Sequence, residues 1–140
     1  MKPIYVKPGD YGFGSELETT KVRSCIAIAV LSNETKGLMH FSYPHTDSLD
    51  SFLNKVSTDS KIVLAGAGSY TSVGRQNYGL AKQMLAEKGL ELIAEDIGGF
   101  CEYTVRVDGK GVIVAKRPYD MFASGGMGLH EIPEEVSIYR

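Results

Sequence analysis

A chain of 140 residues is the size of one domain and should bury about two-thirds of the surface its unfolded form exposes. Its 43% hydrophobic and 23% charged residues suit a single globular core, while a formal net charge of -2 without a basic cluster argues against nucleic acid as a partner. No apolar stretch is long enough to span a membrane, and MKPIYVKPGD lacks the apolar segment of a secretory signal, so a cytoplasmic location is the expectation.

Taken in chain order, Pro3 to Val6 reads as an edge strand, followed by a Pro8-Gly9-Asp10 turn and a loop to Glu18 that delivers Thr19. Cys25 to Leu31 is a buried strand with two unlike faces: Ile26, Ile28 and Val30 on one, and the smaller Cys25, Ala27 and Ala29 on the other. Gly37 to Tyr43 alternates as well, with Leu38, His40 and Ser42 opposed to Met39, Phe41 and Tyr43. Pro44 stops that strand, and Thr46 or Asp47 is expected to cap a short helix, Ser48 to Val56. Lys61 to Ala65 is a further buried strand ending in a Gly-rich turn that lacks the Gly-Lys-Ser/Thr ending of a phosphate loop. A close approach of backbone explains the turn, and a wall of a substrate cleft beside Cys25, Gly66 to Ser72, is the functional alternative. Ser72 is the expected N-cap of a second helix reaching Lys88, which Gly89 and Leu90 close in a Schellman motif. A strand from Leu90 to Glu95, a turn at Ile97 to Phe100 and a hairpin of Tyr103 to Val107 with Val112 to Lys116 complete the domain. Glu95 and Asp96 point apart on a strand and read as turn or rim residues rather than paired acids. The tail from Pro118, with Ser124-Gly125-Gly126-Met127-Gly128, reads as a flexible extension or a docking arm.

The residues that carry chemistry lie in the first hairpin. A thiolate, not a thiol, attacks a carbonyl carbon, and an isolated cysteine with a pKa near about 8.5 is little ionised at neutral pH. A histidine in reach takes the thiol proton and returns it to the leaving group. A two- or four-residue loop between the strands puts Cys25 and His40 on one face, and an odd loop separates them. With Asn33-Glu34 as the turn, Cys25 lies opposite Ser42 and His40 opposite Ala27, a diagonal of roughly 7–8 Å at Cβ. Thr19 or Thr20 could orient the imidazole, and backbone N–H groups around Cys25 could hold an oxyanion. Cys25 and Cys101 stand far apart without metal-ligand spacing, and His45 and His130 complete no cluster, so neither a metal nor a cofactor is expected.

This hairpin resembles the chemoreceptor glutamine deamidase family, CheD. Thr19, Ser24-Cys25, Gly37, His40, Phe41 and Pro44 follow the family's Thr, Ser-Cys and Gly-Met-x-His-Phe-x-x-Pro pattern in order. Val6 to Phe13, Val73 to Asn77, Ala94 to Gly99 and Gly109 to Lys116 extend the resemblance over roughly residues 4 to 117. It implies Cys25 as nucleophile, His40 as base and Thr19 as orienter, in an α+β domain at 1–117 followed by an extension at 118–140. The implied fold is a layered mixed β-sheet structure with two main helices, shared with the catalytic domain of cytotoxic necrotizing factor. The implied activity is a protein-glutamine deamidase acting on chemotaxis receptors, with methyl ester hydrolysis as a lesser activity. An adaptor that binds a CheC-type phosphatase or other regulator, and a deamidase directed at host proteins, are the alternatives. Two departures stand out: Arg23 replaces a glycine before Ser24-Cys25, and Phe100-Cys101-Glu102 replaces a basic residue after the double glycine.

Overall fold

The computed structural model describes residues 2–67, 71–98, 101–118 and 134–140. Its elements in order are β1 (Ile4–Tyr5), β2 (Tyr11–Phe13), β3 (Leu17–Val22), β4 (Ile26–Leu31), β5 (Lys36–Phe41), α1 (Thr46–Asn54), β6 (Lys61–Gly66), α2 (Ser72–Glu87), β7 (Glu91–Ile97), β8 (Cys101–Asp108), β9 (Gly111–Pro118) and β10 (Glu135–Tyr139). They form an α+β structure in three layers. A central sheet runs β2-β5-β4-β6-β7, and an outer sheet runs β1-β3-β8-β9-β10.

The unlike faces of β4 account for the layering. Ile26, Ile28 and Val30, with Met39 and Phe41 of β5, pack under Leu49, Phe52 and Leu53 of α1 and Ala81 and Leu85 of α2. Ala27 and Ala29, with Leu38, Val63 and Ala65, meet Leu17, Val22, Tyr103, Val105, Val107 and Val114 of the outer sheet. Branched side chains fill the deeper helix interface, and alanines allow the two sheets to approach.

Several expectations are corrected here. The stretch before Glu18 is not a loop: it contains β2, which pairs antiparallel with β5, and the start of β3, so Thr19 sits within a strand. His45 rather than Thr46 or Asp47 occupies the N-cap of α1, without a side-chain cap bond. In α2 the cap is Thr71, whose hydroxyl accepts from Gly74 N–H at 2.9 Å, and not Ser72. Asp96 belongs to β7 and is no turn residue: it accepts Lys116 Nζ at 3.0 Å and the Tyr103 hydroxyl at 3.2 Å. The Schellman closure of α2 is present, with Leu90 N–H on Leu85 O and Gly89 N–H on Ala86 O, and Gly89 at φ +67°. The Gly125 to Gly128 segment and the Gly68-Ser69 and Gly99-Phe100 pairs lie outside the described residues. Farther on, Glu135 to Tyr139 pair with β9 through all five positions, so the end of the extension is an edge strand of the outer sheet.

Two irregularities shape the ground around Cys25. Strict alternation along Leu17-Glu18-Thr19-Thr20-Lys21-Val22 would bury Lys21. The register shifts between Thr19 and Val22, Lys21 takes φ +56°, and Val22 turns inward in its place. At the end of β6, Gly66 has φ +109°, and a Cβ there would lie 2.5 Å from Val22 Cγ1 and 2.8 Å from the Cys25 carbonyl oxygen. Only glycine allows the chain to pass this close. Gly66→Ala is therefore expected to lower the unfolding free energy by about 1–3 kcal/mol, and an unchanged urea midpoint would show that the contact is not tight.

Candidate active site

The turn that decides the geometry is the two-residue one. Ser32 N–H donates to Thr35 O at 3.0 Å, which leaves Asn33-Glu34 at the tip. The ladder then pairs Ala27 with His40 and Ile26 with Phe41. Cys25 precedes the first residue of β4 and packs with the residues between the sheets, as Ala27 does. His40 projects from β5 into the same interval, where it is 1% exposed. The hairpin thus delivers thiol and imidazole to one side of the central sheet.

The partner of the imidazole comes from the facing sheet. Thr19 Oγ1 lies 2.7 Å from His40 Nδ1 and 2.8 Å from the Val6 carbonyl oxygen. A hydroxyl has one proton, and the Val6 carbonyl can only accept it. Thr19 therefore donates to Val6 and accepts from His40, which places the ring proton on Nδ1 and the lone pair on Nε2. Thr20, the other candidate orienter, instead shares a hydrogen bond with the Tyr5 hydroxyl at 3.1 Å. The Val6 carbonyl, which completes the chain, gave no signal in the sequence because any residue could supply it.

His40 Nε2 is buried and has no hydrogen-bond partner among the described residues. The thiol and the imidazole are thus on one face without a hydrogen bond between them. Burial lowers the His40 pKa from its ordinary value to about 4, since an imidazolium there is poorly solvated. The ring is neutral at neutral pH, with Nε2 able to accept a proton.

Backbone contacts hold Cys25 from two further elements. Ala67 N–H donates to the Cys25 carbonyl at 2.6 Å, which brings the end of β6 against the hairpin, though the Gly66 to Ser72 wall is only partly described. Asn77 of α2, fully buried, donates from Nδ2 to the Ser24 carbonyl and accepts from Tyr43 N–H, both at 2.8 Å. A buried asparagine on a helix face is a signal the sequence did carry, but its partners depend on tertiary packing. The two departures from the family pattern also meet: Arg23 Nε and Nη2 both donate to Glu102 Oε1, at 3.0 and 2.8 Å. The pair joins the segment before Cys25 to β8 and, being solvent-exposed, contributes little to stability. Both cysteines are free, and burial raises the Cys101 thiol pKa above its ordinary value.

Because the unfolded chain binds a proton at His40 near pH 6.5 and the folded one only near 4, stability from this residue is complete above pH 6.5 and is lost as the pH falls through 4. The loss should approach about 3 kcal/mol. Urea unfolding of the protein and of a His40→Asn variant across this window should show a steeper decline in the former; parallel curves would place the His40 pKa at its ordinary value.

Residues 56–117 match the family model described as CheD chemotactic sensory transduction. The match begins after β5 and so does not include Thr19, Cys25 or His40. A probable chemoreceptor glutamine deamidase CheD 2 of Geobacter sulfurreducens is 27% identical, over 69% of this chain and 77% of that protein. A probable chemoreceptor glutamine deamidase CheD of Natronomonas pharaonis is 34% identical, over 46% of this chain and 38% of that protein. No helix among the described residues is long and apolar enough to cross a membrane. The family model and both relatives point one way: over these segments the chain is similar to CheD proteins.

Proposed function

We propose that the chain is a protein-glutamine deamidase with Cys25 as nucleophile, His40 as general base and acid, and Thr19 as the residue that orients His40. The observation that carries this reading is the unpartnered, buried His40 Nε2, held by Thr19 through Nδ1 on the face of the central sheet that also carries Cys25. The names of the two relatives supply the substrate class: the side chain of a glutamine in a chemotaxis receptor.

In the first step the Cys25 proton passes to His40 Nε2 as sulfur attacks the amide carbon, and the carbonyl oxygen takes the negative charge. His40 then gives this proton to the amide nitrogen, the C–N bond breaks, ammonia leaves and a thioester remains. Water attacks the thioester with Nε2 accepting its proton, and collapse returns the proton to the departing thiolate, leaving glutamate. Burial makes His40 a reluctant base and, once protonated, a strong acid. An amide needs that acid because its nitrogen leaves poorly without a proton. Throughout, the Nδ1–H bond to Thr19 keeps the ring in one orientation, and an imidazolium would strengthen it.

Residues 1–117 hold the whole proposed site, and β10 adds an edge strand to the same sheet. The reading includes a cytoplasmic location, where receptor glutamines are accessible, and a CheC-type phosphatase as the binding partner the resemblance implies. Incubation with receptors of the same cell should convert specific glutamines to glutamates by mass spectrometry. Cys25→Ala and His40→Ala should abolish conversion, and Thr19→Val should reduce kcat by about 10- to 100-fold. Conversion that persists in Cys25→Ala would remove the nucleophile from this scheme.

A further inference from the structure

We infer that Asn77 is a positioning residue that aims the Cys25 N–H as a donor to the oxyanion of the reaction; this rests on the deamidase reading above. Asn77 does not touch the thiol or the imidazole. It donates to the carbonyl of Ser24, and that carbonyl belongs to the same peptide unit as the Cys25 N–H. The Ser24–Cys25 bond is not among the cis bonds of the chain, so the two groups lie in one plane and point in opposite directions. A carbonyl drawn toward α2 therefore turns the Cys25 N–H away from α2, toward the side of the central sheet that carries His40 and the Cys25 side chain.

Three observations give this orientation its purpose. The Cys25 N–H makes no backbone hydrogen bond outside the strand ladders among the described residues, so it is a donor without an assigned acceptor. The next carbonyl, that of Cys25 itself, is held by Ala67 N–H, which leaves the peptide units on both sides of the nucleophile fixed. Asn77 also accepts from Tyr43 N–H, just past β5, so one buried amide ties the Cys25 strand to the strand that carries His40. A nucleophile's own N–H lies close to the carbonyl oxygen it attacks, and a preoriented donor there stabilises the tetrahedral intermediate more than the ground state.

The test separates oxyanion stabilisation from simple support of the fold by using two reagents for the same sulfur. Acylation by p-nitrophenyl acetate passes through a tetrahedral oxyanion, whereas alkylation by iodoacetamide displaces iodide at a saturated carbon and forms none. The full chain, its Cys25→Ala variant, Asn77→Ala and Asn77→Asp are compared, with Cys25 modification followed by peptide mass spectrometry to exclude Cys101. Asn77→Asp keeps an acceptor for Tyr43 N–H and loses the amide donor to Ser24, so it remains informative where Asn77→Ala fails to fold. Acylation should fall about 10- to 100-fold in both variants, with alkylation changed only a few-fold. Equal losses in the two reactions would reduce Asn77 to a support of the fold, and equal retention would deny it any part; either result overturns the inference alone. Absence of Cys25-dependent acylation in the unmodified chain would overturn the deamidase reading and this inference with it.

Discussion

The site depends on the single proton of the Thr19 hydroxyl. Because the Val6 carbonyl takes it, Thr19 can meet His40 only as an acceptor, and the imidazole is left with its lone pair on Nε2. The same hydroxyl is a point where β3 of the outer sheet meets β5 of the central sheet, so the tautomer of His40 and the docking of two layers are one constraint. A polar contact inside an otherwise apolar interface is costly when incomplete. Here Thr19 and Nδ1 are satisfied, and the unsatisfied atom, Nε2, is the one to which the proposed reaction gives a proton.

The rest of the core is arranged so that this contact can form. Alanines at 27, 29 and 65 keep the inner face of the central sheet shallow, which permits Thr19 to reach His40 across the gap. Large side chains are kept to the helix side, where Phe52 also stacks against Tyr11 and Phe13 at ring separations of 5.2 and 5.3 Å. The bulge at Thr20-Lys21 belongs to the same arrangement, since it ends the inward alternation after Thr19 and releases the chain toward Cys25.

The hairpin was legible because its period is two and its loop is short: residue types at 26 to 31 and 37 to 43 fixed the faces, and parity fixed whether Cys25 and His40 could share one. Helix α2 and its closure were legible for a similar reason, since Gly89-Leu90 is a local signal. What the sequence concealed is what depends on partners distant in the chain. A loop reading to Glu18 misses β2 and the start of β3 because Tyr11-Gly12-Phe13 is short and the bulge breaks the alternation of β3. Thr19 was named through resemblance, while residue chemistry alone left Thr20 equal to it; only pairing with β8 and the bond to Val6 separate the two. Arg23 and Glu102 looked like two independent departures until their side chains were found on each other.

Cys25 stands one residue outside β4 with its carbonyl held by Ala67 N–H, and His40 lies within β5, where its N–H donates to the Asp10 carbonyl and its own carbonyl accepts from Gly9 N–H. Thiol and imidazole are thus mounted on backbones that are each anchored by a segment outside the hairpin. With the His40 ring also held by Thr19 through Nδ1, the separation of sulfur and Nε2 is set by the side-chain torsion of Cys25. In the proposed reaction the imidazole is the fixed reference and the thiol rotamer is the adjustable part.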